Sequence, residues 1–271
     1  MRASPSTAPS VPSSPRGLVP LLLVLMLLAA GEASAQIVNV QALFDEATAP
    51  MGLSGGADLS LDWRTGSTNL LVARGLVSGQ WRTEKNTVLA VVRGEYDFAL
   101  DTVLVSKFLE HVRYRYRITS WLSAEAFAQH ELDTSRRLRL RALVGAGPRF
   151  TVWSTDKASL VFGIALMAEY EQLRLDDQPD AGDETLDPRL SSYVLGRVKL
   201  TDNMSLVETF YAQPRLTQFS DYRLLNETLL SVEPNKRLTF SLGFIFSYDT
   251  APPLTVPPLD TQLRTSLGVK F

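Results

Sequence analysis

Apolar and polar positions alternate along most of this chain, in runs of about ten residues separated by turn residues. His111–Ile118, HVRYRYRI, is the sharpest case. Val112, Tyr114, Tyr116 and Ile118 fall on one parity; His111, Arg113, Arg115 and Arg117 fall on the other. A period of two is the period of an extended strand, whose successive side chains point to opposite faces. Twelve such runs predict strands near 56–64, 70–82, 87–97, 107–118, 121–131, 137–150, 158–171, 190–200, 204–212, 223–232, 237–248 and 261–271. Few segments have a helical period; Val38–Ala47 predicts one short helix ahead of the strands.

The connections sort by length. Those after even-numbered strands are short: TEKN, TS, WSTDKA, TDNM and EPNK. Several after odd-numbered strands are long: FALDTVLVS, LRLDDQPDAGDETLDPR, AQPRLTQFSDY and DTAPPLTVPPLD. Short turns at one end, long loops at the other and an even strand number are the signature of an outer-membrane barrel.

The faces support the same fold class. In 237–248 one parity is Leu238, Phe240, Leu242, Phe244, Phe246 and Tyr248. In 158–171 one parity is Leu160, Phe162, Ile164, Leu166, Ala168 and Tyr170. No helices are predicted to cover this continuous apolar face, so hydrocarbon is the solvent that suits it. Closing the sheet pairs every backbone group and leaves no edge. The expected fold is all-β: a transmembrane antiparallel β-barrel of about 12 strands. Trp63, Trp81, Trp121 and Tyr248 lie near strand ends, where aromatics form interfacial girdles. Glu208 and Glu227 blur the alternation of 204–212 and 223–232, and leave the inward parity there open.

The first residues change the compartment. Arg2 and Arg16 precede the apolar run Leu21–Ala30, and Ala33 and Ala35 offer a small-residue cleavage site before Gln36. The expected organisation is a cleaved signal peptide over 1–35, an N-terminal periplasmic segment over 36–54 and the barrel over 55–271. The expected location is the outer membrane of a Gram-negative bacterium, with outer-membrane lipids and lipopolysaccharide as neighbours. The chain has no cysteine and two histidines, so disulfides and thiol chemistry are out. A net charge of −2 argues against nucleic acid.

Charge inside the barrel is the main candidate for function. Arg113, Arg115 and Arg117 on one strand, and Arg137, Arg139 and Arg141 two strands on, bracket Glu125 and Glu131 on the inward parity. Glu169 and Glu171 follow on the next strand. Two readings stand. Such a network can line a binding lane or constriction for anionic solutes or ions. It can also compensate itself and fill a narrow lumen, and that reading is favoured, since arginine and carboxylate lock together through a planar fork. Asp176–Asp187 holds six acids in a long loop, which reads as solvated surface or as a bridge to divalent cations at lipopolysaccharide. Ala251–Pro258 reads as a stiff extended loop.

No cofactor fingerprint, phosphate loop or zinc spacing appears, and no enzyme is expected. The alternative is a phospholipase-like barrel. It would draw on His130 with Asp133 and Ser135, a weak constellation without a nucleophile motif. A further alternative is an adhesive or structural barrel acting through its loops.

The C-terminal run LRTSLGVKF places Leu267, Val269 and Phe271 on the outward parity of the last strand. This resembles the assembly signal read by the outer-membrane barrel insertion machinery, with Ser266 where glycine often stands. Together with 111–150, MAEYE, YAQPR and the SLDWRTGSTN turn, it resembles the YdiY-like salt-induced outer-membrane proteins, a domain of unknown function, over about residues 54–271. The resemblance implies fold and compartment and hints at envelope stress. It implies no activity.

Overall fold

The computed structural model describes residues 39–40, 50–64, 70–99 and 102–270. The expected signal peptide, the greater part of the expected helix over 38–47, and Phe271 lie outside the described residues. Twelve strands form one closed antiparallel barrel: β1 Gly52–Arg64, β2 Leu70–Arg82, β3 Asn86–Ala99, β4 Thr102–Arg117, β5 Leu122–Asp133, β6 Leu138–Ser154, β7 Ala158–Leu173, β8 Glu184–Thr201, β9 Met204–Arg215, β10 Gln218–Val232, β11 Leu238–Asp249 and β12 Leu259–Lys270. Each strand pairs with its sequence neighbours. β1 closes the ring on β12 through Gly56↔Lys270, Ala57↔Val269 and Asp58↔Gly268. Closure leaves no strand edge, as an apolar surrounding demands.

Side-chain chemistry builds the tight turns. Asn86 N donates to Thr83 Oγ1 at 3.0 Å, and Leu122 N to Thr119 Oγ1 at 3.0 Å. Leu238 N donates to Asn235 Oδ1 at 3.0 Å. Short polar side chains hold the first backbone groups past each bend, which is why threonine and asparagine recur there. These turns define the short-turn end. Trp81, Tyr114, Tyr116, Trp121 and Trp153 are exposed on the wall near it, a girdle in the position interfacial aromatics take.

The opposite end differs from expectation. Two of the long loops are largely strand: β3 runs to Ala99 and β4 starts at Thr102, while β9 runs to Arg215 and β10 starts at Gln218. The length asymmetry therefore appears partly as strands that overhang the apolar band. The loops over 174–183 and 250–258 remain.

The wall has one apolar and one mixed face. Val112, Val144, Leu166, Val194, Phe210, Phe244 and Leu263 are exposed outward. Inward lie arginines, carboxylates and an apolar cluster of Val161, Tyr193, Leu195, Val207, Tyr211, Leu225 and Ile245.

The charged lumen as candidate functional site

β4 and β5 carry the first part of the lumen site. Their register places His111 opposite Gln129 and Arg115 opposite Glu125 on the inward parity. Glu125 is buried and gathers three donors and a further guanidinium. Arg113 Nη1 reaches Oε2 at 3.0 Å, Arg115 Nε donates to Oε1, Arg149 Nε from β6 lies 3.4 Å from Oε1, and the Tyr193 hydroxyl from β8 donates to Oε2 at 2.7 Å. Three guanidinium groups thus share one carboxylate. The Arg113 guanidinium also lies 4.8 Å from the centre of the Phe127 ring. Its Nε donates to His111 Nε2 at 3.5 Å, which leaves His111 Nδ1 as the donor to Gln129 Oε1 at 3.0 Å. Gln129 passes the chain on to Glu131 Oε2 at 3.4 Å.

The second part is centred on Glu169 of β7. Its Oε2 accepts from Arg141 Nε at 2.9 Å and from Arg141 Nη2. Its Oε1 accepts from Arg189 Nε at 2.9 Å and Arg223 Nη1 at 2.7 Å. Arg223 also reaches Glu171 Oε2 at 2.9 Å and Asp249 Oδ2 at 3.0 Å. Arg189 holds Asp221 Oδ1 at 3.1 Å, and Arg215 joins Asp221 to Asp187. Arg141 Nη1 lies 3.7 Å from Glu131 Oε2 and joins the two parts, so one connected network runs from β4 round to β11. Most of its buried charges are both ion-paired and hydrogen-bonded, as burial away from water requires.

The ten residues singled out from the sequence divide. Arg113, Arg115, Glu125, Glu131, Arg141, Glu169 and Glu171 meet in this network. Arg117 is exposed at the end of β4. Arg139 is exposed outside the barrel, a correction with a plain cause. Leu138 pairs Leu173 while Leu140 pairs Gln172, so Arg139 is the extra residue of a bulge. Beyond it the alternation changes phase: Leu138 and Arg141 both point inward. Sequence reasoning missed Arg149, Arg189, Asp221, Arg223 and Asp249. Arg189 and Asp221 were placed in loops by strands drawn too short. Arg223 and Asp249 belong to strands or strand ends that the residue pattern did include or touch.

Arg137 is not in the lumen lane either. It precedes β6 in the left-handed region, φ 58°, after a 3-10 turn over Thr134–Arg136. The turn is capped by Asp133, whose Oδ1 accepts from Ser135 N at 3.0 Å and from the Ser135 hydroxyl at 2.6 Å. Arg137 grips Asp176 through Nε and Nη2, both at 2.7 Å, and Asp180 through Nη1 at 2.7 Å. Nη1 also donates to the Leu254 carbonyl at 2.8 Å, and Leu254 N donates to Asp180 Oδ2 at 2.9 Å. β6 and β12 lie on opposite sides of the ring. This latch therefore ties the β7–β8 and β11–β12 loops together over the long-loop end. The hydrogen bonds from Arg137 hold the Asp176 carboxyl below its usual 3.8. For Asp180 burial acts upward, but the Leu254 N–H and Arg137 outweigh it and the net shift is also down. Asp176, Asp180 and Asp187 are thus engaged by arginines, so half of the six loop acids already have cationic partners.

The family model described as "Protein of unknown function, DUF481" matches residues 29–271. The chain belongs to the DUF481 family. A search of curated proteins finds no match for this DUF481 chain. Among solved structures it is similar to the NanC porin: 11% identity, 81% of this chain and 99% of that chain covered, TM-score 0.51. The COG4313 outer membrane channel from Pseudomonas putida F1 shows 11% identity, coverage of 86% and 99%, and TM-score 0.49. The translocator domain of the autotransporter NalP from Neisseria meningitidis shows 11% identity, coverage of 83% and 89%, and TM-score 0.46. The DUF481 fold is that of an outer-membrane β-barrel.

The open parity of the two ambiguous strands is resolved in the DUF481 barrel. Glu227 faces inward with Arg223 and Leu225, and Glu208 faces outward with Phe210. Glu208 is tolerated on the apolar face because Asn226 Nδ2 donates to Oε1 and the Thr228 hydroxyl donates to Oε2 at 2.6 Å. His130 also faces outward, its Nδ1 3.7 Å from Glu110 Oε2. Ser135 is committed to Asp133, so these three residues do not assemble as a nucleophilic triad. Leu267 and Val269 are exposed on the outer face of β12.

Proposed function

We propose that this protein is a narrow channel in the outer membrane of a Gram-negative bacterium, passing ions or small polar solutes rather than catalysing a reaction. One observation carries the reading. Inward residues of β4 to β9 are largely buried in the charge network and the apolar cluster, whereas many of those of β12, β1 and β2 keep partial access to water: Gln262, Arg264 and Ser266, Ser54 and Asp58, Arg74 and Ser78, with Gln80 and Gly268 as buried exceptions. The packed half narrows the lumen, and the other half leaves a polar lane beside it. Arg74 marks this lane at the long-loop side, 3.4 Å from Glu95 Oε1 and 3.3 Å from Asp97 Oδ2, with its own side chain 39% exposed. Charged groups of both signs along a narrow passage are what tunes ion preference.

Its outward face implies contact with outer-membrane lipids and lipopolysaccharide, and the Leu267–Val269 pattern implies insertion by the barrel assembly machinery. Conductance in planar bilayers tests the channel. Small, reproducible current steps are expected; no current above the lipid background overturns it. In that event the extent of the buried network favours the second reading, a rigid structural barrel for an envelope under salt or osmotic stress.

A further inference from the structure

Asn39 and Val40 precede β1, where a periplasmic segment was expected, yet they are 4% and 0% exposed. The Asn39 side chain meets the Glu227 carboxylate. Glu227 is on the inward parity of β10, opposite Ile245 of β11 on one side and Thr209 of β9 on the other. A residue that meets Glu227 from off the strand is inside the lumen.

The wall leaves room for it. Toward the short-turn end, inward positions of β10, β11 and β12 include Ser231, Ser241, Gly243 and Ser266, with Leu229 and Thr239 among them, while the facing half carries arginine, tyrosine and phenylalanine. A Cβ on Gly243 would meet nothing nearer than 3.7 Å, so no neighbour there requires glycine at that position. At Gly268 the Asp58 carboxylate takes the space a Cβ would need, so the open stretch of wall is the one around Gly243. The path is feasible as well. Val40 and Gly52 are connected by enough residues to span up to about 40 Å when extended, and Glu227 lies only about 16 Å along β10 from its end at Val232.

We propose that Asn39 and Val40 are an internal plug, seated inside the barrel with Asn39 docked on Glu227, so that these two residues stand in the lumen. The placement stands on burial and geometry, independently of conduction. Its effect on current rests on the channel reading above.

The absence of native cysteine makes the test clean. The full chain carrying Asn39→Cys and Glu227→Cys is exported to an outer membrane, and a short bifunctional thiol reagent is added. The expected result is an internal cross-link, seen as a shifted band, that Asn39→Cys with the outward Glu208→Cys does not form. Single Val40→Cys is expected to resist a water-soluble maleimide at least tenfold relative to the same protein denatured. Adding Val40→Asp to Asn39→Cys is expected to restore fast labelling. Heat-dependent gel mobility confirms that each variant is a folded barrel. Failure of the cross-link, together with unprotected Val40→Cys in folded barrels, overturns the plug. A cross-link without any current in Val40→Asp barrels keeps the plug and removes the channel. A cross-link with increased current in Val40→Asp supports both.

Discussion

Glu169 accepts hydrogen bonds from Arg141, Arg189 and Arg223 while almost wholly buried. Replacing it by glutamine keeps the shape but leaves three guanidinium groups with one anion fewer. The expected cost is about 3–5 kcal/mol, because removing one partner of a buried set leaves charge without compensation. Urea unfolding of the barrel in lipid vesicles measures it. Arg117→Ala and Arg139→Ala, at exposed positions, are expected to change the same midpoint by less than about 0.5 kcal/mol. At Glu208 the dependence runs the other way round: the carboxylate is supported by its neighbours. Asn226→Leu removes one of its two donors on the apolar face, with an expected loss of about 1–3 kcal/mol. Glu208→Leu combined with Asn226→Leu is expected to recover most of that loss in the same assay, since no polar group is then left without its partner. Seven of the ten lumen residues were legible from alternation alone, because Arg113, Glu125 and Glu169 each sit mid-strand, where parity is unambiguous. Arg139 was not, since a bulge is a backbone irregularity that an alternating pattern LRLRA does not reveal.

The latch around Arg137 belongs to the loops and holds them by charge-assisted hydrogen bonds from a residue in a strained backbone conformation. Arg137→Ala is expected to free the 174–183 and 250–258 loops, raising their rate of limited proteolysis severalfold, with the barrel itself intact. The pH dependence has a definite sign. The Asp176 and Asp180 carboxyls are held below their unfolded value of 3.8. Their contribution is therefore fully present above that value and is lost as pH falls through the depressed folded values. Loop cleavage by an acid-active protease is expected to rise below about pH 4 in the wild type and to show no such step in Arg137→Ala. Element number and order were legible in the sequence, and element ends were not. FALDTVLVS and AQPRLTQFSDY read as loops because their alternation is broken by aspartate and proline. Pairing to a neighbouring strand, Phe98↔Val103 and Tyr222↔Pro214, carries the ladder through them, with a bulge in each case. Once a neighbour supplies the hydrogen bonds, local strand propensity matters less.

At the scale of the whole barrel, the division between a packed half and a wet half decides which substitutions reach a permeating ion. Arg141 and Arg223 are locked among Glu169, Glu171 and Asp249, so their removal is expected to lower stability first. Arg74 is different: partly exposed, held by single contacts beyond 3 Å to Glu95 and Asp97, and worth little as an ion pair. Removing its charge leaves two carboxylates facing the lane. Arg74→Ala is therefore expected to shift preference toward cations, read as the reversal potential across a salt gradient. Glu95→Gln with Asp97→Asn is expected to shift it toward anions. Both shifts are expected to shrink as salt rises, because partly wet charges are screened over about 10 Å at 0.1 M. Arg141→Ala serves as the contrast: a lowered unfolding midpoint with an unchanged reversal potential. Equal potentials in all of these barrels would mean that the permeating ions do not travel beside Arg74, and that the water reaching β12, β1 and β2 ends in a closed vestibule.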